Sequence, residues 1–353
     1  MADCRAVVDL SRALRRALAG TACALLLVAG ACSSGDDSSD AGQGGGSGEA
    51  AATSDPADAT GPFATGRRTL TLVDASRPTD EVPGVSPARP DRTIEVEVVY
   101  PAEGEPGPAP TAPGGLGGAA VEDAPPADGE YPLVVFAHGF SGVGRLFLGY
   151  AEGWARAGYV VALPTFPLSR NGVNIGADVR NQPGDVSFVI DELSALGDDD
   201  PLAGHIDLES IAVGGHSLGG VTVLGAGYNS CCLDERIDAT IQVSGGPLPF
   251  EGGTYGGDPE RPMLLVHGTA DETVPINVGD AVFDTFAIPI WYLRIEGATH
   301  SGVFSGEAGE LFDEAMLAFL AAELRGDDAA LDAMASEVEA SGIADWRVRT
   351  AAG

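Results

Sequence analysis

The chain contains no lysine. All 19 of its basic residues are arginines, set against 52 Asp and Glu, and the formal net charge is −33. An acidic surface without a basic cluster excludes electrostatic binding to nucleic acid or to anionic lipid. The arginine-only usage itself reads as genomic base composition. Cysteine is also scarce. Of the five present, Cys4, Cys23 and Cys32 lie at the N-terminus, which leaves only the adjacent pair Cys231-Cys232 in the body. A disulfide framework is therefore excluded, because any intrachain bridge must be vicinal. A vicinal disulfide and two reduced, buried thiols both remain open. The sequence also lacks internal repeats, heptads and a second core, so its 353 residues read as one large domain with extensions.

No apolar run is long enough for a comfortable membrane span. The longest, 17–29, follows Arg12, Arg15 and Arg16 and ends in Val28-Ala29-Gly30-Ala31-Cys32. A positive segment, a short apolar segment and small residues before a cysteine resemble the lipobox of bacterial lipoproteins. That resemblance implies a signal peptide over 1–31, acylation of Cys32 and an outward-facing membrane anchor. The plainer alternative is a secretory signal cleaved near Ala31. Residues 32–65 are rich in Gly, Ser, Ala and Asp and have no periodicity. Such a tract cannot bury a core and reads as a flexible tether.

Periodicity places the domain at 66–326. Alternation over 69–73 and 93–100 predicts two antiparallel strands, and 101–130 reads as a Pro/Gly-rich insertion. Continuous apolar runs at 132–137, 159–163, 210–213, 240–243, 263–266 and 291–295 predict buried parallel strands. Helices are expected over 146–157, 179–196 and 307–324. Residues 327–353 read as an appended tail, with a short helix and a loose end. Nothing between the sixth strand and the candidate acid is long enough for a large lid.

The strongest local signal is Gly215-His216-Ser217-Leu218-Gly219-Gly220 after the apolar run Ile211-Ala212-Val213. It reads as a nucleophile elbow, a sharp strand-to-helix turn with serine at its apex. Glycines two before and two after the serine let strand and helix approach closely, and the helix N-terminus favours negative charge. Serine chemistry also needs a base, an acid and oxyanion donors. His300 follows the last strand in Gly297-Ala298-Thr299-His300, while His138, His205, His216 and His267 are poorly placed for a base. Asp271 follows the strand 263–266 in His267-Gly268-Thr269-Ala270-Asp271, with Glu272 as the alternative acid; Asp271 could equally cap the next helix. The N–H of Leu218 is one oxyanion donor. The other comes from His138-Gly139-Phe140-Ser141-Gly142, from Phe140 or else Ser141. Phe140, Leu146, Phe147, Trp154 and Phe166 line either an apolar cleft or the core.

Together, His138-Gly139-Phe140, the elbow, Asp271 and His300 resemble the α/β-hydrolase superfamily. The likeness is to bacterial esterases similar to platelet-activating-factor acetylhydrolase, dienelactone hydrolase and the cutinase-like polyester hydrolases. It spans about residues 131–324. It implies a mostly parallel central sheet flanked by helices, with no large lid. It further implies ester hydrolysis through an acyl-enzyme by Ser217, His300 and Asp271, without metal or cofactor. The substrate would be a small-molecule, lipid or polymer ester, and the chain a monomer. Within 178–191, the same resemblance implies a structural ion pair between Arg180 and Asp185. Peptidase or thioesterase chemistry and a non-catalytic surface-binding lipoprotein are the competing readings.

Overall fold

The computed structural model describes residues 62–107, 117–256 and 261–350. The expected signal segment, Cys32 and nearly all of the tether lie outside the described residues. The described chain forms one ten-stranded sheet in the order β10-β9-β8-β7-β6-β4-β5-β2-β1-β3. The centre is parallel and consists of β4 (Tyr131–Ala137), β5 (Val160–Thr165), β6 (Ile206–His216), β7 (Ala239–Val243), β8 (Met263–Gly268) and β9 (Ile290–Ile295). The apolar runs explain this arrangement, since a strand covered on both faces has no polar side. β4, for example, is buried at every position.

The edges follow a different rule. β1 (Ala64–Asp74) and β2 (Arg92–Ala102) pair antiparallel, and β2 continues antiparallel onto β5. In β2, Ile94, Val96 and Val98 point into the core, whereas Glu95 is exposed. The period of two is the one read from the sequence. The insertion contributes only the two-residue strand β3 (Val121–Glu122), parallel to β1.

Helices cover both faces: α1 (Leu148–Arg156), α2 (Gln182–Ser194), α3 (Leu218–Tyr228), α4 (Asn277–Thr285), α5 (Gly306–Arg325) and α6 (Asp328–Ser341). On one face Trp154 of α1 is fully buried among Phe136, Tyr150 and Phe312, and its indole N–H donates to Asp313 of α5 at 2.7 Å. Trp154, Phe147 and Phe166 are therefore core and are not free to line an open cleft, whereas Leu146 is exposed.

Three expectations are corrected. The helix expected over 179–196 is broken: a short helical turn, Gly176–Arg180, precedes α2, whose first turn carries Pro183. Proline lacks an N–H and suits a helix start rather than its interior. Second, Asp185 does not pair with Arg180. It receives two hydrogen bonds from the buried Arg92 (2.6 and 2.5 Å) and an ion pair from Arg77, while Arg180 reaches the exposed Asp80 at 3.3 Å. Arg92 also binds Asp178, so one buried guanidinium ties β2 to the segment entering α2. Third, the C-terminal segment is not a loose end. Residues Ala344–Arg349 form β10, which adds antiparallel to β9 and extends the sheet beyond 326.

Candidate active site

β6 runs into α3 at Ser217, and the chain reverses with Ser217 at φ 56° and ψ −114°. A non-glycine residue in that region costs of order 1–3 kcal/mol and persists only where its surroundings force it. Here they do. The Ser217 N–H donates to the Val243 carbonyl of β7 at 2.8 Å. A methyl group on Gly215 would overlap the backbone of Gly219, and one on Gly219 would overlap the Ala137 carbonyl. The flanking glycines are thus what lets α3 sit against the ends of β4 and β6.

Ser217, His300 and Asp271, far apart in sequence, form one hydrogen-bonded chain. Ser217 Oγ lies 2.8 Å from His300 Nε2, and His300 Nδ1 lies 2.7 Å from Asp271 Oδ2. The loops that bring them together are sewn to each other. Thr269 N–H donates to the Ile295 carbonyl, Ala270 N–H to the Ala298 carbonyl, and Gly297 N–H to Thr269 Oγ1. The loop after β8 and the loop after β9 are therefore tied directly to each other.

Asp271 is buried and uses both oxygens. Oδ1 accepts the N–H groups of Thr273 and Val274, each at 2.8 Å, and Oδ2 faces His300. Asp271 does not cap the next helix, which starts at Asn277; Oδ1 instead closes the turn over 271–274, which leaves Oδ2 for the imidazole. Burial works against its charge, but hydrogen bonds from His267, His300 and the Val274 amide outweigh it. They hold its pKa well below the usual carboxylate range. Glu272, the alternative acid, is exposed to solvent.

Three histidines rejected as the base each hold part of the site. His138 is buried; its Nδ1–H donates to the Gly139 carbonyl at 2.7 Å, and its Nε2 accepts the Phe166 N–H at 3.0 Å. It thus pins the loop after β4 to the end of β5. Burial lowers its pKa to about 4, so the ring is neutral. His216 donates its Nε2–H to the His300 carbonyl at 2.9 Å, and its ring packs against those of His300 and Phe304. Burial and the adjacent His300 lower its pKa to about 3. His267 is buried, with Nε2 2.7 Å from the Val274 carbonyl and 3.4 Å from Asp271 Oδ2. Their support roles were not legible, because each depends on which loop lies alongside. His205 meets the Gly129 carbonyl at 3.0 Å in the loop before β6.

In the loop after β4, Ser141 has φ 63° and its N–H is committed to the Ser169 carbonyl at 2.7 Å. It has no backbone N–H left for an oxyanion. The N–H groups of Phe140 and Leu218 have no hydrogen-bond partner among the described residues. The Phe140 ring packs against an apolar cluster that includes Leu218, Val221, Phe250 and Val274. Cys232, joined to Cys231 in a vicinal disulfide, borders the same cluster. Among the described residues no group of three or more His, Cys, Asp or Glu is arranged to hold a metal ion.

No protein-family model matches the chain, and no curated protein matches it. Among solved structures it is similar to a ferulic acid esterase from Streptomyces cinnamoneus. The identity is 23%, the TM-score 0.57, and the match covers 75% of this chain and 91% of that one. That likeness, with the parallel sheet, the strand order and the elbow after β6, gives the chain the α/β-hydrolase fold.

Proposed function

We propose that the chain is a serine hydrolase of carboxylic esters. The observation that carries the reading is the bridging of Ser217 Oγ and Asp271 Oδ2 by one imidazole, at 2.8 and 2.7 Å. The fold of a ferulic acid esterase, an ester hydrolase by its name, supports it.

The chemistry follows from the geometry. His300 Nε2 takes the Ser217 proton as Oγ attacks the ester carbonyl. Asp271 orients the ring and stabilises the imidazolium. The Phe140 and Leu218 N–H groups face the oxyanion, where losing one such donor costs about 3 kcal/mol of barrier. The tetrahedral intermediate collapses to an acyl-enzyme as His300 gives its proton to the leaving alcohol. Water, deprotonated by the same ring, then releases the acid. Phe140 and the adjacent apolar cluster form a wall for an apolar part of the ester.

Acylation of Cys32 would hold this centre outside the cell on the 32–65 tether. Growth with a labelled fatty acid tests that anchor, since label should be lost in Cys32→Ser. For the chemistry, hydrolysis of p-nitrophenyl butyrate is measured with the intact chain. In Ser217→Ala, turnover should fall by about 10⁴-fold or more with an unchanged circular dichroism spectrum. A folded Ser217→Ala that keeps its rate overturns the reading.

A further inference from the structure

Beside the oxyanion loop lies a groove of about 390 Å³, within the usual size range of small-molecule sites. Its floor is one rung of the sheet, where Thr71 of β1 pairs with Glu95 of β2 and Glu95 pairs with Thr165 of β5. Its rim carries Arg89, Arg145 and Arg170. These three guanidiniums make no hydrogen bond or ion pair among the described residues, whereas every other described arginine does. In a chain of net charge −33, carboxylates to neutralise them abound. Three arginines that converge on one concavity without a partner among the described residues are therefore a local exception.

Neighbouring segments of chain connect the groove to the candidate site. Arg145 follows the Phe140 loop directly in sequence, and Arg170 lies in the loop that Ser169 and Phe166 tie to it. Thr165 is on β5, two strands from the nucleophile strand β6. At about 4.8 Å per strand, the groove begins roughly 10 Å from that strand.

Its lining selects a ligand chemistry. Arginine forks match carboxylates and phosphates. Glu95, however, is exposed in the same groove and makes no ion pair with the three arginines; it repels a compact dianion but accepts hydroxyl hydrogens. Glu97 is held instead by Thr69, at 3.0 Å. Threonine hydroxyls supply further donors and acceptors. We propose that the groove is a substrate subsite for an acidic sugar, a polyhydroxylated ring bearing a carboxylate. The proposal rests on the ester-hydrolase reading.

Calorimetric titration of the intact chain with digalacturonate, neutral galactobiose and inorganic phosphate tests it. Digalacturonate should bind about tenfold or more tighter than either of the others, and more weakly as salt rises. The combined variant Arg89→Gln, Arg145→Gln, Arg170→Gln should lose about tenfold in that affinity. Its p-nitrophenyl butyrate rate should stay within about twofold of wild type, because all three side chains are exposed. Equal binding of galactobiose, equal binding of phosphate, or undiminished binding by the variant overturns the proposal. An active enzyme that binds no digalacturonate contradicts the subsite alone. A chain that binds it but hydrolyses no ester contradicts the catalytic reading, and with it the subsite's part in substrate binding.

Discussion

The side chain of His216 donates to the backbone carbonyl of His300 at 2.9 Å, so the residue before Ser217 fixes the loop that carries the imidazole bonded to Ser217. The elbow and the loop after β9 lie 84 residues apart in sequence, and this hydrogen bond locks them in register. On the ester-hydrolase reading His216 would be a positioning residue, acting through His300 and not on the substrate.

Removing that bond should loosen the base. His216→Ala leaves the His300 carbonyl unpaired and opens a cavity, at a cost of about 1–3 kcal/mol in stability. Its kcat for p-nitrophenyl butyrate should fall about tenfold with little change in KM. His216→Gln, whose amide can reach the same carbonyl, should recover most of the rate. Equal kcat in the Ala and Gln variants would show that the bond has no positioning role.

Acid should act on the fold through its buried histidines. His138 and His216 stay neutral when folded down to about pH 4 and about pH 3, against 6.5 for free imidazole. At these two positions the unfolded chain binds more protons, so their contribution to stability declines as pH falls from about 6.5 towards 4. Asp313 and Glu323, whose carboxyls burial raises to about 6 and about 7, contribute in the opposite sense. Asp271, with its pKa lowered in the fold, adds a further loss only below the usual carboxylate range. Urea midpoints at pH 7.5, 6 and 5 should carry the histidine loss as a downward slope towards acid. Substituting both histidines with glutamine should flatten that slope, and an unchanged slope contradicts the assignment.

The two arginines near α2 should behave in opposite ways. Arg92→Met strands the buried Asp178 and Asp185 and should cost about 3–5 kcal/mol. Arg180→Ala removes one exposed pair with Asp80 and should lie within about 0.5 kcal/mol of wild type. Thermal unfolding of both variants decides. A large loss in Arg180→Ala would restore the pairing expected from sequence.

Sequence carried much of the architecture because the central strands are apolar throughout and need no partner to be recognised. Ser217, Asp271 and His300 were legible from motif and order, since each follows a strand of the expected kind. Pairings that depend on three-dimensional neighbours were not. Arg180 is adjacent in sequence to the segment holding Asp185, yet Arg92, on β2, is adjacent in space. β10 was missed because its residues are half-buried at best and become a strand only on the open edge of β9. The support given by His138, His216 and His267 belongs to the same class. A lone loop histidine says nothing about the carbonyl it will meet.

Phe140 should set selectivity rather than rate. Its ring packs on the Leu218 cluster, while its N–H is a backbone group that survives substitution. Phe140→Ala should lower kcat/KM for p-nitrophenyl butyrate about tenfold, and that for the acetate by much less. A uniform loss across acyl lengths would place the ring outside the acyl wall.

The central claim is that Ser217 is the nucleophile, activated through His300. The most direct measurement is labelling of the intact, folded chain with a fluorophosphonate probe, followed by peptide mapping. A single adduct is expected on Ser217, strongly reduced in His300→Ala and absent after unfolding. A folded wild-type chain that takes no label, or takes it on another residue, contradicts the account.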